Sequence, residues 1–405
     1  TNNSAMVALQ SLQSVNANLA KTQDMISTGK AVGSAKDNAA TFAISKVMES
    51  DVSGFKAISG SLSLGESTVA VGRQAAETTT DLLKEIKGKI VGAQEENVDR
   101  SKIQTDIGQL RDQIESVVGA AQFNGLNLVN GTSSEAVNVL ASLDRDAAGN
   151  VSDGQIKVDR QDLSQTAMAA GAMTGTAGTT SVVANGAKTT FASFSAPASG
   201  VVAGNSFEIA TGAAATSSVS GLSAAVTYVA SDGDTISDVN AEMATRLNVQ
   251  AAKDGIDVTF SVNSSAGTIE MTNNRGEPTD GGITVSASAD GDTNGTIGGQ
   301  LDLLAGIDVS TGEGAAAGLA AIESLIQKSI DSSAAFGSAE KRIEIQSDFV
   351  GKLTDAFTSG IGSLVDANME EASARLQALQ VQQQLATQSL SIANQAPQAL
   401  LSLFR

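Results

Sequence analysis

The chain contains no cysteine, no histidine and no tryptophan, and only one tyrosine and three prolines in 405 residues. Without cysteine there is no disulfide framework, no thiol chemistry and no thiolate-held zinc. Without histidine the usual general base, the commonest metal ligand and a Ser-His triad are all missing. Aromatic residues make up 3% of the chain, few for compact globular cores. Long helices packed side by side need fewer large side chains. Positive charge is also scarce: the net charge is −19, which argues against a nucleic-acid partner. No apolar run is long enough to span a membrane. No basic segment leads into an apolar one, so no secretory signal is visible. The length allows two or three domains.

Charge is absent from both ends. After Arg375 no charged side chain occurs until Arg405. Within Asp366–Arg405, apolar residues fall at Met369, Ala372, Leu376, Leu379, Ala386, Leu390 and Ala393. The steps are mostly 3 and 4, which makes one stripe on a helix, and only Gln383 breaks the register. Opposite the stripe stand amides and hydroxyls in place of charges. That composition suits a helix with neighbours on most sides, or one lining a neutral wet lumen. The first residues mirror it: Thr1 to Ala20 carries no charge, and Ala5, Ala8, Leu12, Val15, Leu19, Thr22 and Ile26 keep the same spacing. This is a coiled-coil seam. The economical reading pairs the two ends and packs that pair against further copies. Leu12, Val15, Leu19, Leu376, Leu379 and Leu390 are the expected self-assembly residues. The alternative is frayed low-complexity tails, but random tails do not hold a seam in register over three heptads.

Between the ends the pattern is nested. Gly29, Gly33, Ser34 and Asp37 read as a break followed by a helix start, with Ser34 as cap and Asp37 at the third helical position. A long seam follows at Met48, Phe55, Ile58, Leu62, Gly65, Val69, Gly72, Ala76, Thr79, Leu83, Ile86 and Ile90. It predicts an unbroken helix of roughly 60 Å at 1.5 Å per residue. Gly65 and Gly72 on the seam would let a neighbouring helix approach closely. A shorter helix carries Ile103, Ile107, Leu110, Ile114, Val117 and Ala121. Asn124-Gly125 and Asn130-Gly131 mark turns. Alternation at Val137, Val139, Ala141 and at Ile156, Val158 predicts a strand pair around the polar loop from Asp144 to Gly154. Helical pattern returns at Ala315, with Leu325, Phe336, Ala339, Ile343, Val350, Leu353 and Phe357 in register. Gly360 and Gly362 are expected to end that helix.

From Ala172 to Gly314 the composition shifts to Gly, Ala, Ser, Thr and Asp. Short strands are predicted at Ser206–Ala210, Ala225–Val229, Val258–Val262, Thr268–Thr272 and Gly282–Val285, with one helix over Ile236–Ala251. This insert holds 15 acidic and 4 basic residues, which suits an exposed, soluble domain. The fold class is therefore α+β and mainly α: a nested long-helix coiled coil or bundle formed by the N- and C-terminal segments, with a β-rich central insert. Residues 1–37 with 366–405 form the terminal coiled-coil domain. Residues 38–171 with 315–365 form a helical bundle plus β-hairpin, and residues 172–314 form the outer domain. Nesting brings the chain ends together and sends the insert to the other end.

One acidic loop invites a metal. Asp290, Asp292, Asn294 and the Thr296 carbonyl have the spacing of the first half of an EF-hand loop, with Gly295 at the sixth position. Position twelve is Leu301, not Glu, and no flanking helices are evident. Ca²⁺ is the candidate ion, set against the plainer reading of a solvated Asp/Gly turn. Asp232-Gly-Asp234 and Asp144-Arg-Asp146 are weaker candidates. No other cofactor is expected.

Specific stretches resemble bacterial flagellins. They are Ser27-Thr-Gly29 with Ser34-Ala-Lys-Asp37-Asn-Ala-Ala40, then Gln122-Phe-Asn-Gly125, and the ending Leu385-Ala-Thr-Gln-Ser-Leu-Ser-Ile-Ala-Asn394-Gln-Ala-Pro397-Gln-Ala-Leu-Leu-Ser-Leu-Phe-Arg405. Asp234–Asn240 through Gly255–Thr259 resembles a module found in many flagellin outer domains. The resemblance implies a paired-helix filament core, a helical second domain and a surface-exposed outer domain. It also implies secretion as an unfolded chain through the flagellar export apparatus to an extracellular filament. An export chaperone, the filament cap and hook-junction proteins are the implied partners. One stretch departs from the family: many members carry an Arg-rich, Glu-Leu-containing segment read by an innate-immune receptor, whereas the matching region here is Leu82–Gln94.

The function expected is a structural subunit that polymerises into the flagellar filament, a helical propeller for swimming. The alternative is a cell-surface binding module or adhesin using the β insert. An enzyme is the weakest option, because no carboxylate pair is singled out by spacing. No nucleic acid and no membrane is expected as a partner.

Overall fold

The structure is a computed structural model that describes residues 3–145, 150–171, 188–192, 194, 200–210, 222–263, 267–274, 286–288 and 295–403. In chain order the elements are α1 (Asn3–Thr28), α2 (Ala39–Ala93), α3 (Arg100–Ala120), β1 (Gln122–Phe123), β2 (Leu126–Asn127), β3 (Val137–Arg145) and β4 (Val151–Val158). Then come β5 (Lys188–Ala192), β6 (Ser206–Ala210), β7 (Val226–Val229), α4 (Ile236–Lys253), β8 (Val258–Asn263), β9 (Thr268–Asn273) and β10 (Ser286–Ser288). A 3-10 turn, Asp302–Gly306, leads to α5 (Gly312–Val365) and α6 (Met369–Leu403). The chain is mainly helical with a central strand-containing region, as its periodicities imply. The predicted strand Gly282–Val285 lies outside the described residues.

Two compact units emerge. One comprises Thr1–Leu62, Leu140–Gly154 and Ile345–Arg405; the other comprises Ser63–Val139 and Gln155–Glu344. Residues of α2, α5 and the β3–β4 pair contribute to both.

In the first unit α1 ends at Gly29, whose φ of +70° is the left-handed conformation glycine adopts without a Cβ penalty. The predicted cap is corrected here. α2 starts at Ala39, and its cap is Asn38, whose Oδ1 accepts from the Ala40 and Thr41 amides at 3.2 Å. The Asp37 carboxylate does reach back to the Ser34 amide and hydroxyl, both at 3.0 Å. That closes a turn ahead of the helix. Gly360 and Gly362 do not end α5, which runs on to Val365. Each glycine costs about 1 kcal/mol in a helix interior. The seam nevertheless continues through Ile361 to the buried Val365, and a Cβ at Gly360 would lie 3.2 Å from Met48. Packing outweighs propensity at this point. Phe55 and Phe357 meet edge to face, with centroids 5.4 Å apart.

In the second unit Leu62's successors on the α2 seam are fully buried: Val69, Ala76, Leu83, Ile86 and Ile90. Ile107 and Ile114 of α3 and Leu325, Phe336 and Ile343 of α5 are buried as well. Antiparallel α2 and α5 are tied by Thr80 to Ser329 at 2.9 Å and by Arg73 to Glu340 at 2.6 Å. Gly65 does permit close approach, but the neighbour is a strand. A Cβ there would lie 2.6 Å from Val139 of β3.

The same unit holds two three-stranded antiparallel sheets, ordered β10-β6-β7 and β5-β9-β8. α4 packs on both, burying Val239, Met243 and Leu247 against Phe207, Ile209, Phe260 and Met271. Its start is a capping box: the Thr235 side chain accepts from the Asp238 amide and the Asp238 side chain from the Thr235 amide. A neck leads to this layer. Ala169 and Thr296 exchange both backbone hydrogen bonds, at 3.1 and 2.8 Å. Below the neck the returning chain is part of the helical core, with Leu301, Leu304, Ile307 and Val309 buried.

Candidate assembly site

The site is the α1–α6 pair. At its base the two crossing segments are clasped by backbone hydrogen bonds. The Ala31 amide donates to the Val365 carbonyl at 2.7 Å and the Ala367 amide to the Gly29 carbonyl at 2.9 Å. Asn368 then caps α6, accepting from the Glu370 and Glu371 amides at 3.1 and 3.3 Å. Farther along, the Gln383 side chain donates to Asn16 Oδ1 at 2.8 Å. Moving from residue 30 back to 16 thus matches moving from 366 on to 383, so the helices are antiparallel.

The seam residues read from the spacing lie on the two helices that pack here. Leu12, Val15 and Leu19 are half-buried on α1, as are Leu376 and Leu390 on α6, and Leu379 is 7% exposed. Gln383, the residue out of pattern, occupies a half-buried seam position and finds an amide partner. A polar seam residue paired in this way favours one pairing over others at some cost in stability. Met369 is the exception, exposed beside the clasp.

The pair leaves a second apolar stripe uncovered. Val381 and Leu385 are each 56% exposed and Ile392 69%, and their spacing of 4 and 7 places them on one face of α6 away from the seam. On α1, Met6, Val7 and Leu9 are exposed as well. Sequence reading reached the seam and overlooked this stripe, although the 381-385-392 spacing was visible. Apolar surface grouped in this way marks an interaction face.

The site carries almost no titratable chemistry. The nearest perturbed groups lie by the clasp. Ser34 holds the Asp37 carboxyl below its ordinary value through its hydroxyl and amide. Lys46, paired at 2.6 Å, does the same for Glu49. Along the described part of the pair the side chains are mostly amides, hydroxyls and apolar groups, a chemistry suited to association.

Of the candidate cation ligands, Asp290, Asp292 and Asn294 lie outside the described residues. The Thr296 carbonyl accepts from the Ala169 amide in the neck. Asp234 is engaged structurally, accepting from the Tyr228 hydroxyl at 2.6 Å and the Ser231 amide at 2.7 Å. Among the described residues no acidic group of three or more gathers at metal-binding distance. None of the described helices is long and apolar enough to cross a membrane.

Residues 1–134 match the model of the bacterial flagellin N-terminal helical region, and residues 319–404 that of the C-terminal helical region. Flagellin A of Rhizobium meliloti strain 1021 is 36% identical over all of this chain and 99% of its own length. Flagellin FljM of Caulobacter vibrioides is 26% identical, again over the whole chain and 97% of its own. Among solved structures, FliC from Burkholderia pseudomallei is similar over 69% of this chain and 99% of its own, with 14% identity and a TM-score of 0.32.

Proposed function

Because the chain belongs to the bacterial flagellin family, it is a structural subunit of the extracellular flagellar filament, and we propose that the charge-poor α1–α6 pair is the element that builds the polymer. The family is structural and not enzymatic, and motility follows from the flagellum. Nothing in these similarities favours the adhesin alternative.

The observation that carries the proposal is the uncovered stripe of Val381, Leu385 and Ile392 on the part of α6 that carries no charge after Arg375. Covering it in neighbouring copies contributes roughly 1 kcal/mol per side chain. The Gln, Asn and Ser groups beside it cost free energy if buried without partners, so neighbours that supply hydrogen bonds select a defined packing. A lone antiparallel pair buries one seam, and isolated helices are marginal in water. The ends therefore order on assembly. Leu12, Val15, Leu19, Leu376, Leu379 and Leu390 form the packed seam of that assembled state.

The division into a terminal domain (1–37 with 366–405), a helical domain (38–171 with 315–365) and an outer domain (172–314) is part of the same reading. So are the flagellar export apparatus, an export chaperone, the filament cap and hook-junction proteins as partners. Ca²⁺ held by Asp290, Asp292, Asn294 and Thr296 is a separate proposal. Calorimetric titration should show a site that D290A with D292A abolishes, and an unchanged isotherm would end it.

Limited proteolysis of the monomer tests the main reading. It should trim about residues 1–37 and 366–405 and leave a resistant core that electron microscopy shows unable to form filaments. A trimmed core that still polymerises would refute it.

A further inference from the structure

Four charges are gathered where α4 meets the helical core, and the function above does not use them. Arg246 of α4 donates from both terminal nitrogens to the two Asp302 oxygens at 2.7 Å. It also reaches Glu242, one turn away, at 3.2 Å. Lys328 of α5 donates to the same Glu242 oxygen at 3.0 Å. Arg246 and Glu242 are 7% and 8% exposed, and the Asp302 side chain 5%. The Arg246 guanidinium lies over the Tyr228 ring, 5.4 Å from its centroid, while the Tyr228 hydroxyl donates to Asp234. Asp331 of α5 lines the adjoining space.

The placement of these charges in the chain matters. Glu242, Arg246, Tyr228 and Asp234 lie beyond the neck, among the sheets. Asp302 and Lys328 lie on the returning chain and on α5. The returning chain is itself fastened to α3, because Gln104 donates to the Ile307 carbonyl at 3.2 Å and accepts from the Val309 amide at 2.9 Å. Every ion pair that Asp302 or Lys328 makes in this network therefore joins the sheet layer to the helical core. The neck is a narrow two-segment ladder: Ala169 and Thr296 are paired, and Gly299 and Leu301 donate to the Thr166 and Ser164 carbonyls on the core side. Past Thr296 the Gly295 amide turns to the Gly204 carbonyl of the sheet layer, so the Ala169–Thr296 pair is the last rung and the natural pivot.

Burying charges costs desolvation that their attraction barely repays, so such a network is a poor source of stability. Apolar side chains of similar size would hold the two layers together at least as well. What a charge network adds is angular definition: the paired Arg246–Asp302 hydrogen bonds accept one orientation, and any other strands a buried charge. Shape alone leaves room at this junction. A cavity of about 240 Å³ opens beside Tyr228, Lys328 and Ser332. Among the described residues the Arg246 Nε–H finds no partner, as expected where one group is placed for its terminal nitrogens at the expense of the third.

We propose that the Arg246–Asp302–Glu242–Lys328 network is an orientation latch: it holds the sheet layer at one angle on the helical core, and without it the layer swings about the Ala169–Thr296 neck.

The absence of native cysteine makes the test direct. Ala241 of α4 and Ala334 of α5 are both exposed. Each is replaced by cysteine and spin-labelled in the full-length, unassembled chain, and the distance distribution is read by pulsed electron resonance. The native background should give one narrow peak. The combined variant E242L, R246M and D302L keeps apolar volume and removes charge; its peak should broaden at least twofold while helical circular dichroism is retained. An equally narrow peak at the native distance would overturn the latch. If that variant loses its helical signal, D302N decides, because it keeps the side chain's size and breaks only the paired charge-assisted hydrogen bonds with Arg246. Broadening again supports the latch, and an unchanged peak overturns it.

Discussion

The seams of α2 and of the α1–α6 pair share one 3-4 spacing but differ in depth. Leu83, Ile86 and Ile90 on α2 are completely buried, whereas Leu12, Val15, Leu19, Leu376 and Leu390 of the terminal pair stay half-exposed. α2 meets its partners within the chain: β3, α3 and α5 cover it. Among the described residues, the terminal helices pack chiefly on each other. Their faces also differ in chemistry. α2 and α5 carry ion pairs such as Arg73–Glu340 and Lys87–Glu323 on their flanks, which suits a surface that remains in water. The terminal pair replaces charge with amides and a second apolar stripe. The same periodicity thus serves a finished core in one region and an unfinished one in the other, and composition off the seam distinguishes them.

The largest effect should come from charge placed in the unfinished seam. L379D or L390D sets a carboxylate where neighbours must close. Filament yield, followed by sedimentation and electron microscopy, should fall below detection while the far-ultraviolet signal of the middle helices stays native. Filaments of normal yield would show that the seam is not closed by assembly.

Truncations sharpen the contrast. L83A empties a closed site and should lower monomer stability by about 2–5 kcal/mol, read from chemical denaturation. L379A should leave the monomer melt unchanged and raise the critical concentration for polymerisation about tenfold or more. If L379A destabilised the monomer as L83A does, the pair would already be complete in one chain.

A smaller effect concerns acid. Burial alone would raise the Glu242 carboxyl, but Lys328 and Arg246 outweigh it and hold the group below its ordinary value. In the acid window the unfolded chain then binds the extra proton. The stabilisation is present in full above the unfolded value of about 4.3 and is lost as pH falls through the lower folded one. E242Q should therefore melt below the native chain at neutral pH, and the two melting curves should converge as pH drops below about 4. A gap independent of pH would exclude this titration.

The smallest effect is expected from removing the sheet layer. Cutting residues 171–294 and joining Ala170 to Gly295 through a short linker severs the chain where the neck brings it together. Filaments should still form. Extending the cut to Gly314 strips Leu301, Leu304, Ile307 and Val309 from the helical core, and that longer deletion should fold poorly. Equal behaviour of the two would place the boundary elsewhere.

What could be read without coordinates was whatever has a period. Eleven of the twelve positions predicted on the α2 seam are buried, with Met48 half-exposed. Strand β6 occupies the predicted residues, and the α1–α6 pairing follows its spacing even at Gln383. Such features are legible because a helix or strand repeats its buried face along the chain. The helix does not end at Gly360 as propensity predicts, because packing carries α5 to Val365. The cap is Asn38 and not Ser34: a capping signature does not show which of several nearby polar residues the helix begins behind.

The sequence by itself determined the helices, their order, the uncharged ends and the family, since each rests on residues close together in the chain or on a recurrent pattern. Tertiary structure alone decided three things. One is that Gly65 makes room for a strand. Another is that the chain after Thr296 belongs with the helical core. The third is that Arg246, Asp302, Glu242 and Lys328 meet. These residues stand up to 86 positions apart, and no local pattern announces them. A charge on a helix reads as a solvated face until the fold brings an opposite charge to it and removes the water.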